Sequence, residues 1–452
     1  MASLAGLIRS VRSQSVEDLP LASSALLTFV TRGVGIVLAA TAGIVVARSL
    51  GPTGRGIYGL VTSTGLVFAA FAGLGISYAG IYLSGQKRFN RQVLLSNSLA
   101  WGLVVSSLWI SGVLFIRALN HNFFDTLGEG QLAVAVAGGG VILLISISKD
   151  FLLAHGDIWA FNAVQFMESI SRLAFIVAAL IFLGLTDTAA VGAWLVALFA
   201  TAALGVYSLT RYARILPALN IKAFTAQVSF GIRGYMGYVF QAANHRLDVF
   251  FVAYFVGPAA VGYYAVGFGI AELLWEVPLA LGTVLFPKGA ALDARSNSRM
   301  AAAICRRTLF LTALGIIALL ALGRFVVLVL YGSEFLPSLG AFYILLPSAL
   351  FFTIHKVLGS SLAGQGVPQA TLYGGMLSVP AMVALNVILL PQMGIKGAAI
   401  ASDVAYAINA AVILLIFRRV ARLPLRETLL ITRADLAESF RSARRMVAKV
   451  WA

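Results

Sequence analysis

Residues 240–287 read FQAANHRLDVFFVAYFVGPAAVGYYAVGFGIAELLWEVPLALGTVLFP. Two apolar runs meet at Gly257-Pro258, and charged residues are set inside hydrophobic surroundings in both. Four landmarks of this stretch recur near the front of the chain: Gly257, Pro258, Gly262 and Tyr264 return as Gly51, Pro52, Gly56 and Tyr58, always 206 positions apart. Gly192-Ala193 likewise returns as Gly397-Ala398, 205 positions apart. Two separate landmarks at nearly one spacing indicate a unit of about 205 residues used twice.

Composition sets the solvent. The 452 residues are 60% hydrophobic and only 11% charged, with a mean hydropathy of +0.93. Soluble domains carry about 45–50% apolar and about 25% charged residues, so most of this surface faces lipid. The single cysteine, Cys305, makes no intramolecular disulfide and implies no metal site. No cofactor is expected.

Apolar runs of spanning length follow one another at about 23–48, 57–83, 93–117, 131–149, 162–184, 189–210, 228–256, 259–286, 304–330, 340–362, 370–391 and 397–418. Each approaches or exceeds the roughly 20 residues a membrane helix requires. Alternating strand patterns are absent, which excludes a barrel and leaves a helical bundle. The expected architecture is therefore an all-α membrane protein of about 12 transmembrane helices in two six-helix repeats. Residues 1–20 read as a short amphipathic segment on the membrane surface, 21–211 as the first half, 212–227 as a connection, 228–418 as the second half and 419–452 as a basic amphipathic tail.

Lysine and arginine orient the bundle. With both termini cytoplasmic, one set of connections together with the terminal segments holds 24 of the 33 basic residues, and the opposite set holds only Arg48, Arg55, Arg117 and Lys396. That bias on short loops places the basic side in the cytoplasm and removes nucleic acid as the reason for the net charge of +16. Six spans separate the matching turns, so both halves enter the membrane in the same sense. Parallel halves are a transporter arrangement, with the substrate path in a central cavity between them.

Apart from the repeat, characteristic text runs through Ala47–Leu50 into Gly51-Pro52 and Gly56-Ile57-Tyr58, Arg246-Leu247-Asp248, GPAAVGYYAV from Gly257, Pro287 and GIKGAAIA from Gly394. It resembles the polysaccharide-transporter branch of the multidrug/oligosaccharidyl-lipid/polysaccharide flippase superfamily. The resemblance implies a flippase that moves an undecaprenyl-pyrophosphate-linked glycan, for O-antigen, capsule or exopolysaccharide, across the bacterial inner membrane. The implied partners are membrane lipids and the polysaccharide polymerase or export machinery. A drug/cation antiporter of the same superfamily is the alternative. An integral-membrane glycan polymerase or ligase is a third reading, disfavoured because every connection expected outside is about a dozen residues or fewer and no enzyme motif is present.

Charges at bilayer depth are costly and face a bundle interior or a wet cavity. Gln241, Asn244, His245 and Asp248 fall on one helical stripe of the seventh span, while Arg246 points elsewhere. Glu272 and Glu276, four apart, form a like-charged pair suited to sharing a proton and coupling transport. Glu168 and Arg172, also four apart, can neutralise each other. Every cation read as lying inside a span is arginine, whose planar fork suits a pyrophosphate better than lysine does. Arg32 and Arg246, on the first span of each half, are expected to hold the headgroup, with Asp248 and Arg172 as further substrate contacts.

Overall fold

The computed structural model describes residues 21–119, 127–212, 218–432 and 435. Residues 1–20, and the tail positions Leu436, Phe440, Val447 and Trp451, lie outside the described residues. Helix dominates, and there is no strand among the described residues. The first helical stretch, Leu21–Ala72, is divided at Gly51, whose backbone (φ 65°, ψ −170°) is not helical. We label residues 21–50 α1 and 52–72 α2; α2 resumes as Ile76–Gly85 after a turn at Gly75. Then follow α3 (Arg91–Leu119), α4 (Glu129–Ala154), α5 (Ile158–Leu183) and α6 (Asp187–Leu209). The second half comprises α7 (Ile221–Phe255), α8 (Pro258–Glu272 and Glu276–Ala291), α9 (Ala294–Leu330), α10 (Ser338–Leu345 and Ser348–Gly364), α11 (Gln369–Met393) and α12 (Ile395–Ala421). A short α13 (Leu425–Leu429) closes the described chain.

Nine described helices are long and apolar enough to cross a membrane, and the bent α10 makes a tenth. That tally takes Leu27–Ala72 as one span, although Gly51 divides it, and omits the polar-striped α7. Adding these two gives the twelve helices expected from the sequence. Large apolar side chains point outward, Phe182 at 79% exposure and Leu103 at 72% among them, as surfaces solvated by lipid do.

The duplication is visible in backbone detail. Gly257 before α8 has φ 106° and ψ 178°, the counterpart of Gly51 before α2. In both places proline follows at the first helical position, where its missing N–H leaves no bond unmade. A second pair had no textual echo. Gly156 and Gly366 both have positive φ, and in each case the next residue donates its N–H five residues back, Asp157 to Leu152 at 3.0 Å and Val367 to Leu362 at 2.9 Å. This is a Schellman helix stop.

The chain forms two compact units: residues up to Leu50 with Val61–Tyr235, and Gly51–Leu60 with Met236–Ala452. Inside the first, α2 and α3 pack on α4, and α4 and α5 on α6. Inside the second, α8 and α9 pack on α10, and α10 and α11 on α12, the same scheme six helices on. The unit border falls within α7. That helix starts seven residues before the span read from hydropathy, because Asn220 caps it by accepting the Ala223 N–H at 3.0 Å. The added turns carry Gln227, fully buried, which donates to the Leu94 carbonyl and Ser98 Oγ at 3.1 Å each.

Gly56 and Gly262 lie together in the second unit. A Cβ built on Gly56 would stand 1.8 Å from the Pro258 carbonyl oxygen, and one on Gly262 would stand 1.9 Å from that of Pro52. The landmarks that betray the repeat in the sequence therefore touch in space, each glycine seated on the other repeat's proline carbonyl. Absent side chains permit this backbone approach.

Candidate functional site

The polar stripe on α7 exists, and protein fills it. Asp248 is fully buried. It accepts the Tyr264 hydroxyl at 2.5 Å, the Ser402 hydroxyl at 3.1 Å and the Val249 N–H at 2.8 Å. One carboxylate thus ties α7 to α8 and α12, and a buried charge requires such donors. The Asn244 side chain donates to Ser378 Oγ on α11 at 2.7 Å, and its backbone carbonyl accepts the Tyr406 hydroxyl of α12 at 3.3 Å. His245 meets the rings of Trp275, Phe352 and Tyr406 edge-on, with centroids 5.0, 5.8 and 6.0 Å away. The partners Tyr264, Ser402 and Tyr406 went unassigned in the sequence, although Tyr264 is a landmark of the repeat.

Arg246 occupies a different face, about a third exposed. Its Nη2 lies 3.8 Å from Glu272 Oε2, and its guanidinium carbon stands over the Phe268 ring at 5.7 Å. At 3.8 Å the pair is electrostatic and not a hydrogen bond. Among the described residues the guanidinium makes no hydrogen bond, so its donors remain available. Glu272 faces Arg246, and the single 3-10 turn Leu273–Trp275 separates it from Glu276, which is half-buried. The carboxylates therefore do not sit on one uninterrupted α-helical face.

In the first unit, Arg172 Nη2 lies 3.7 Å from Glu168 Oε1, the expected i,i+4 pair. Glu168 has a second cation, Lys149, with Nζ at 3.2 Å from Oε2. Lys149 belongs inside α4, which runs on to Ala154, and Lys356 belongs inside α10. Lysine as well as arginine is therefore carried on the spanning helices, which corrects the expectation that every cation inside a span is arginine. Hydropathy ended the first of these spans at Lys149, short of the helix end at Ala154, because the lysine breaks the apolar run without breaking the helix. Arg32 is half-buried on α1. Arg233 is exposed, its Nε and Nη2 both donating to Ser229, to the carbonyl and hydroxyl oxygens, at 2.8 Å.

Outside the spans, Asp435 is a hub. Arg306 reaches it at 2.5 and 2.9 Å, Arg307 at 2.9 Å, and Thr432 donates both its N–H at 3.0 Å and its hydroxyl at 2.5 Å. The two guanidinium groups on α9 and Thr432 hold the carboxyl well below the usual carboxylate range. This clasp fixes the segment after α13 to α9 at Arg306 and Arg307.

Residues 45–339 match the family described as polysaccharide biosynthesis protein. The chain belongs to that family. A probable low-salt glycan biosynthesis flippase of Haloferax volcanii is 22% identical over 374 residues, covering 80% of this chain and 76% of that protein. In fold the chain is similar to the lipid II flippase MurJ in an inward closed conformation, with TM-score 0.71, 14% identity, and 88% and 90% of the two chains covered. It is also similar to an inward-facing multidrug resistance MATE transporter, with TM-score 0.68, 15% identity, and 88% and 98% covered. The resemblance carried by the Gly51 and Gly257 regions is thereby borne out. This family member is a multi-pass membrane protein with the fold of those flippase and transporter structures.

Proposed function

We propose that the protein is a flippase for a polyprenyl-pyrophosphate-linked oligosaccharide, a repeat unit of O-antigen, capsule or exopolysaccharide. It would carry the glycan from the cytoplasmic to the outer leaflet of the inner membrane by alternating access, with both termini in the cytoplasm. The observation that carries this reading is Arg246. A permanently charged guanidinium at membrane depth costs about 2.5–3.5 kcal/mol on insertion scales. Here it is balanced by one carboxylate at 3.8 Å and a ring face, with no hydrogen bond spent. Such a group is prepared for phosphate oxygens, which accept bidentate donation. Arg32 is its proposed counterpart in the first half, and Arg172 a further contact. Asp248 is assigned a positioning role, because its oxygens are committed to Tyr264, Ser402 and Val249.

Glu272 supplies a coupling step with Glu276 beside it. An anionic headgroup competes with Glu272 for the Arg246 guanidinium. The test is flipping of a short-chain lipid-linked oligosaccharide in proteoliposomes. Arg246→Ala should lower the rate at least tenfold while Arg246→Lys keeps part of it, since charge is retained and the fork is lost. Normal flipping by Arg246→Ala refutes the headgroup assignment. Export of cationic dyes with no glycan flipping establishes the antiporter reading instead.

A further inference from the structure

A cavity of about 660 Å³ opens in the first unit between the end of α2, the connection after it and the first turns of α7. Ligand pockets run to roughly 300–1,000 Å³. Three cations line it, Arg88, Lys222 and Arg233, and no carboxylate does. None of the three has an acidic partner among the described residues. Arg233 is held by its two bonds to Ser229, leaving the rest of its fork directed by a fixed anchor. The wall beside the cations is aromatic: Tyr82 and Phe230 stack with centroids 4.1 Å apart and planes 9° apart. Gln86 donates to the Tyr82 hydroxyl at 2.6 Å, fixing that ring.

Ordinary cytoplasmic orientation charges need neither a cavity nor a pinned aromatic wall. Cations without acids select a multiply charged anion, and an exposed ring face suits the C–H face of a sugar or another flat group. Resting on the flippase reading above, we infer that this pocket is a cytoplasmic capture site for the sugar diphosphate of the lipid-linked substrate, distinct from Arg246. Arg88, Lys222 and Arg233 take the diphosphate, and Tyr82–Phe230 takes the first sugar.

The experiment measures binding to the full chain in phosphatidylcholine nanodiscs. The probe is a short prenyl-diphosphate-linked N-acetylglucosamine, with uridine-diphosphate-N-acetylglucosamine, inorganic pyrophosphate and phosphatidylglycerol as competitors. The expected result is at least tenfold weaker probe binding in Arg88→Gln/Lys222→Gln and in Arg233→Gln, with thermal stability unchanged. Tyr82→Leu should narrow the preference for the probe over pyrophosphate. Unchanged binding in both cationic variants overturns the inference, and normal flipping by wild type then leaves the flippase reading intact. Equal affinity for the nucleotide sugar, or displacement by phosphatidylglycerol, assigns the pocket to another phosphate source and also overturns it. If the wild type flips no lipid-linked glycan, the flippase reading fails, and with it the capture role.

Discussion

Replacing Gly56 by alanine inserts one methyl where the Pro258 carbonyl oxygen stands 1.8 Å from the new Cβ, with the Gly262 nitrogen at 2.9 Å. Real Cβ contacts essentially never fall below 3.0 Å, so the starts of α2 and α8 must separate by more than about 1 Å. Both obstacles are backbone atoms, so no rotamer change relieves them. Overpacking of this kind costs about 1–3 kcal/mol, and loss of the close backbone contact adds to it. Gly262→Ala meets the Pro52 oxygen at 1.9 Å and should cost the same. Once the helices have parted for one methyl, the second meets less resistance, so the double variant should fall short of the sum. Gly59→Ala is the control, since its nearest neighbour would be at 3.7 Å. Thermal unfolding of the purified protein in detergent measures all four variants. If Gly56→Ala unfolds at the same temperature as Gly59→Ala, the reciprocal glycine contact does not hold these helices together.

Asp435 has a depressed folded pKa, so its stabilisation is complete above the ordinary carboxylate value of about 3.9 and is lost as pH falls through the folded value. Tryptic cleavage at Arg426 should therefore stay slow from pH 8 to 5. Asp435→Asn should speed it at neutral pH, by an opening free energy of about 3 kcal/mol for a broken buried pair; equal rates in the two proteins argue against the clasp. Cys305 is buried, so the native chain should resist impermeant thiol reagents. Gln86→Cys and Thr188→Cys should label from opposite sides of the membrane, and labelling from one side contradicts the assigned topology.

The number and order of the helices were legible because lipid demands long apolar runs and the repeat places glycines and prolines at fixed spacing. Gly51, Pro52, Gly257 and Pro258 are readable residue by residue, since only glycine takes their backbone shape without strain and proline opens a helix. Boundaries were less legible where polar residues cap a helix or sit inside it. Asn220 caps α7 well before its apolar run begins, and Lys149 lies within α4. The Gly156 and Gly366 stops share a hydrogen-bond pattern without sharing neighbours, His155 and Asp157 in one, Gln365 and Val367 in the other, so text comparison passes over them.

The charges divide along the same line. Spacing along one helix revealed the Glu168–Arg172 pair, because i,i+4 geometry is local. It could not reveal Lys149–Glu168 or Arg246–Glu272, whose partners lie on different helices and meet only after packing. Nor could it separate the two fates of the α7 charges. Asp248 and Arg246 are two residues apart and equally expensive at that depth, yet one is consumed by Tyr264 and Ser402 while the other keeps its donors. The first is how the second unit holds α7 against α8 and α12. The second is a charge for which the fold provides balance but, among the described residues, no hydrogen-bonded partner, and a doubly charged headgroup is the chemistry proposed to complete it.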